Sequence, residues 1–93
     1  MNLYTVWYKK LPNNKAPEAV FLSDYTCAGV LLAENLKHLY AVIAVTQPHD
    51  SDLYDHRPLQ IGDIAQLKEQ FYILTPFKIW ATVTAFDDIN NGI

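Results

Sequence analysis

Five side chains able to ligate a metal or move a proton fall between positions 49 and 56: His49, Asp50, Asp52, Asp55 and His56, in HDSDLYDH. Imidazole and carboxylate both bind zinc or other divalent ions, and such sites need about three protein ligands. The spacing matches no EF-hand loop, because the required glycine and terminal glutamate are missing. It matches no helical His-x-x-x-His pair either. A solvated acidic loop is the plainer reading, and its two histidines could make it respond to pH. Cys27 is a nucleophile only if a histidine from elsewhere meets it. It falls in an apolar stretch, where free cysteine ordinarily behaves as a small buried hydrophobe. No flanking residues match a cysteine-protease signature.

A second segment combines charge with turn chemistry: RPLQIGDI, residues 57 to 64. Pro58 drives Arg57 toward extended geometry, and Leu59 and Ile61 alternate inward. Gly62 is free to take a φ that a Cβ resists. Asp63 can accept from backbone N–H groups in the turn. All of this is explained by the start of a strand. The functional alternative makes Arg57 and Asp63 exposed contacts for a partner. No glycine-rich phosphate loop, G-x-S-x-G elbow or paired-cysteine motif is present. No catalytic, cofactor-binding or metal site is therefore assigned.

These residues need a frame to hold them. Residues 3 to 10 hold Tyr4, Thr5, Val6, Trp7 and Tyr8, and alternation puts apolar groups on both faces. That pattern predicts an interior strand, followed by a loop over 11 to 17 with two prolines and two asparagines. In residues 18 to 33, Ser23-Asp24 reads either as a turn or as the cap of a helix from Tyr25. Gly29, Thr26 and Val30 favour a strand over 25 to 32. Leu36, Leu39, Tyr40 and Ile43 recur at helical spacing and predict a helix over 35 to 46, with Asn35 as N-cap. Pro48 ends it. Val42 and Val45 lie off that stripe, so deep burial of the helix is expected, while His38 should face solvent. Strand character then returns in 60 to 67, 70 to 75 and 77 to 86, with a fraying tail. The sum is one small α+β domain, a mostly antiparallel sheet of four or five strands with one main helix on one face.

Composition narrows the function classes. The chain has 93 residues, 51% of them apolar and 18% charged, with a net charge of -3. Seven scattered cations argue against a nucleic-acid binder on counterion grounds. One cysteine, no basic-then-apolar N-terminus and no apolar run near the roughly 20 residues of a bilayer span lead to the expectation of a cytoplasmic protein with no membrane partner. The enrichment is aromatic, with two Trp, six Tyr and four Phe. One helix covers one sheet face, so Trp7, Tyr8, Tyr72 and Trp80 join Arg57 and Asp63 as candidate partner-binding residues, with both tryptophans expected on an exposed face.

The segments YTVWYKK, ENLKHLYAVIAVTQPHD, RPLQIGDIAQL and FYILTPFKI, together spanning roughly residues 4 to 80, resemble small proteins of phages, plasmids and bacterial mobile elements. Those proteins carry an RPLSxGDV-like segment, as in YodL-like domains; here Gln60 stands at the serine position. The resemblance implies a compact α+β domain of accessory function, some of whose relatives are suspected of acting in conflict between mobile elements and hosts. It supplies no catalytic residues. The expected function is a non-enzymatic interaction module, an inhibitor or adaptor that docks on another protein or on itself as a homodimer. The alternatives are a small metal- or Cys-dependent enzyme and a small-molecule sensor with a pocket between helix and sheet.

Overall fold

The computed structural model describes residues 1–10, 22–54 and 56–83. The expected loop at 11–17, Asp55 and the stretch from 84 onward lie outside them. The chain runs β1 (Asn2–Lys9), a 3-10 turn (Leu22–Asp24), β2 (Tyr25–Ala33), α1 (Leu36–Val45) and a second 3-10 turn (Pro48–Asp50). Then follow β3 (Ile64–Leu67), β4 (Gln70–Leu74) and β5 (Trp80–Val83). All neighbouring strands pair antiparallel in the order β2-β1-β3-β4-β5. β1 is interior, as its two apolar faces required, and residues 25–33 form one strand. The strands at 60, 70 and 77 start later or end sooner than their patterns suggested. The first of these begins only at Ile64, because residues 56 to 63 run as a loop.

The pleat sorts the sheet into two faces. Tyr4, Val6, Tyr8, Leu31, Ala65 and Leu74 point to the side covered by α1, and Leu53 and Leu59 from beyond the helix join the same core. The opposite face is not bare. Tyr25, Ile64, Phe71 and Ile73 are buried there in a second cluster, flanked by Trp7, Ala81 and Val83. The expectation of a wholly uncovered second face is thereby corrected. Its β1–β2 end stays open, with Leu3, Val30 and Leu32 55%, 45% and 58% exposed.

The helix starts as its sequence indicates. The Asn35 side chain accepts from the His38 N–H at 2.8 Å, and His38 Nδ1 accepts in return from the Glu34 N–H at 2.9 Å. This reciprocal arrangement resembles a capping box with histidine in the glutamate's place. His38 is accordingly half-buried and engaged, instead of simply facing water. Deep burial of α1 does not occur. Only Leu39 and Ile43 are buried, and Val45 is 76% exposed. One layer of core lies beneath the helix and nothing lies above it among the described residues, so off-stripe valines meet solvent. No described helix is long and apolar enough to cross a membrane.

Gly29 marks an irregularity with consequences. Val6 pairs with Gly29 and Trp7 with Cys27, so Ala28 is an extra residue in β2. A bulge of this kind bends the strand and increases its twist. Gly29 has φ +124°, while a Cβ there would meet Asp52 and Leu53 only at 3.5 Å. Glycine is therefore demanded by the backbone angle and not by lack of space.

Candidate functional site

Two places gather the functional residue types. The first is built around Asp63, whose residue is fully buried. Its carboxylate accepts from both terminal nitrogens of Arg57, at 2.7 and 2.9 Å, in a fork-to-fork pair. It also accepts from the backbone N–H of Lys9 at 2.9 Å and of Gln60 at 2.7 Å. Four donors on one buried carboxylate satisfy the charge that burial would otherwise penalise. The Arg57 guanidinium lies 4.0 Å from the centre of the Tyr8 ring, a cation–π stack. The Tyr8 hydroxyl donates to the Arg57 carbonyl at 2.8 Å. Tyr25 donates to the Gly62 carbonyl at 2.7 Å. Burial, then the charges of Asp63 and Asp24, push the Tyr25 phenol well above its ordinary value.

This arrangement corrects the reading of Arg57 and Asp63 as exposed contacts. Asp63 fastens the 56–63 loop to β1, and Arg57 uses its charge on that fastening. Asp63 does accept backbone N–H groups, as the turn chemistry suggested, and Gly62 takes a positive φ of 96°. A shallow cleft of about 380 Å³ opens beside this node, lined by Tyr8, Lys9, Lys10, Thr26, Cys27, Ala28 and Arg57. Cys27 is free and exposed, against the expectation of a buried thiol, because alternation turns it away from the helix-side core. No histidine lines that cleft.

The metal-ligating types do not converge. His49 Nε2 lies 3.4 Å from Asp50 Oδ2, both side chains largely exposed. His56 turns the other way. Its Nε2 sits 3.1 Å from the Ile43 carbonyl and its Nδ1 2.7 Å from the Ser51 hydroxyl. A carbonyl only accepts, which places a proton on Nε2. His56 thus ties the end of α1 to the following loop. Among the described residues no three His, Cys, Asp or Glu come together as a metal site.

The aromatic candidates separate as well. Trp7 lies on the face away from the helix and donates from Nε1 to Gln66 Oε1 at 3.0 Å. Trp80 pairs with Leu74 and packs against the helix-side core. Both are half-buried, on opposite faces, so they form no common exposed surface. Tyr72 is half-buried on the helix-side face, and Tyr8 is buried beneath Arg57.

The second place is one that periodicity did not reveal: the outer edge of β2. Among the described residues β2 has a strand partner on one side only. At its Ala28 the free side is closed, since the Tyr54 N–H donates to the Ala28 carbonyl at 2.7 Å. From Val30 to Ala33 no backbone pairing covers the edge among the described residues. A groove of about 390 Å³ follows this stretch. It is lined by Leu3, Val30, Leu31 and Leu32 of the sheet, by Val42 and Thr46 at α1, and by Asp50, Ser51 and Asp52 beyond it. The signal for it was present in VLLA, where residues of both phases are apolar although an edge strand has only one core face. No protein-family model matches this chain, and no curated protein or solved structure matches it significantly.

Proposed function

We propose that this protein is a non-enzymatic interaction module that docks another protein chain along the edge of β2. One observation carries the reading: along Val30–Ala33 the outer rim of an edge strand has no backbone pairing among the described residues, and exposed Leu3, Val30 and Leu32 flank it. Unpaired strand edges template further strands, and natural proteins usually blunt them with charge, proline or a covering segment. Residues 30–33 contain no charge or proline, and among the described residues no segment covers them beyond the Tyr54 contact at Ala28. Main-chain hydrogen bonds then supply affinity and alternate side chains supply selectivity. The accessory role of inhibitor or adaptor, implied by the resemblance to mobile-element proteins, belongs to this proposal.

Photo-crosslinking tests it. A crosslinking residue at Val30 should yield discrete protein adducts that the same residue at exposed Ala44, on the back of α1, does not. Equal labelling from both positions, or none from Val30, would remove the β2 edge from consideration.

A further inference from the structure

Resting on that reading of the β2 edge, we propose that the groove takes an extended segment of a different protein, in which one lysine or arginine stands between two apolar residues. A strand laid beside residues 30–33 presents successive side chains to opposite faces of the sheet. On the face away from the helix its side chains meet Leu3, Val30 and Leu32, which favour apolar neighbours. On the helix side, the intervening side chain enters the groove between Leu31, Val42 and Thr46. That groove ends at Asp50 and Asp52, both exposed. Long cationic side chains lay their methylene stems on apolar walls while the head stays in water beside an opposite charge. The groove offers both, aliphatic side chains of Leu31 and Val42 and the carboxylates of Asp50 and Asp52. His49 stands against Asp50, whereas Asp52 has no ion partner among the described residues.

The same chemistry discriminates among occupants. A second copy of this chain would offer its own β2, and Tyr25–Ala33 contains no cation. Glu34 follows it directly, so symmetric antiparallel pairing brings a third carboxylate toward Asp50 and Asp52. Nucleic acid would meet the carboxylates of Asp50 and Asp52, with no cation lining the groove among the described residues. A basic strand of another protein is the occupant that satisfies edge, walls and charge together.

The test uses fluorescein-labelled peptides of about seven residues, a length matched to one edge strand. They share a Ser-Thr-Val-Xaa-Val-Thr-Ser pattern with Arg, norleucine or Glu at Xaa. The Arg peptide should bind, and the Glu peptide should bind roughly tenfold or more weakly, a gap within reach of close charge pairs. The double variant Asp50→Asn/Asp52→Asn should shrink that gap to about twofold, and added salt should weaken wild-type binding. N-methylation of alternate backbone amides should abolish binding. Equal affinity for the Arg and Glu peptides overturns the basic partner but keeps the strand-docking edge. Binding that survives N-methylation overturns both. If no peptide binds and light scattering shows a dimer dispersed by Leu32→Lys, the occupant is a second copy and the basic partner is wrong. A monomer that binds no peptide removes the edge as a docking site altogether.

Discussion

Asp63 accepts four hydrogen bonds on a fully buried carboxylate, and its loss should be felt accordingly. Asp63→Ala strands a cationic guanidinium and the N–H groups of Lys9 and Gln60 around an emptied site. Breaking one partner of a buried ion pair costs about 3–5 kcal/mol. Urea denaturation should show a loss of that size. Arg57→Lys keeps the charge but gives up the fork and the stack on Tyr8, and a smaller loss, about 1–2 kcal/mol, is expected. Tyr25 provides a pH test. Its folded-state pKa is raised, so the neutral phenol is favoured in the native protein. Its contribution is fully present below the unfolded value of about 10 and declines as pH climbs above it, where only the unfolded chain ionises. Alkaline titration followed at the phenolate absorbance should show Tyr25 ionising only with unfolding, a step that Tyr25→Phe removes. Sequence reasoning anticipated that Asp63 would accept backbone N–H groups but not its burial. Nothing local to RPLQIGD shows that the segment folds back over Tyr8, some fifty positions earlier in the chain.

Elements with strong local signals were readable, and their ends respond to local changes. Asn35→Ala removes the cap on α1 and should cost about 1 kcal/mol by thermal or chemical denaturation. The β3–β4 hairpin closes through Lys68 and Glu69, and Lys68 holds a φ of 55°. Side chains with a Cβ resist that region, so Lys68→Gly should stabilise by about 0.5–1 kcal/mol despite glycine's entropic cost. A rise of a few degrees in Tm would show it. Helical spacing located α1 because i, i+3 and i+4 contacts are local. The same spacing overstated its burial, since valine at 42 and 45 is apolar whether or not anything covers it. Likewise, the alternation in 60–67 could not show that its first half is a loop: residues 60 and 61 alternate as a strand would, while the Asp63 carboxylate holds the Gln60 N–H.

At the scale of the molecule, strand order was beyond the sequence. The placement of β1 between β2 and β3 depends on α1 carrying the chain across one face, a long-range outcome with no short-range mark. The aromatic load was correctly seen as too large for one face. The remedy, a second cluster of Tyr25, Ile64, Phe71 and Ile73, moved the open apolar surface from the tryptophans to Leu3, Val30 and Leu32. Leu32→Lys should therefore leave folding stability within about 0.5 kcal/mol, as exposed positions generally do, while raising solubility and preventing partner capture. A large drop in Tm would place Leu32 in the core instead. The Tyr54–Ala28 bond has a bearing on fibril formation. Indefinite cross-β growth needs a long uninterrupted rim, and here a tethered loop plugs the rim midway and leaves a slot only a few residues long. Among the described residues that margin of the sheet is thus too short to seed a fibre.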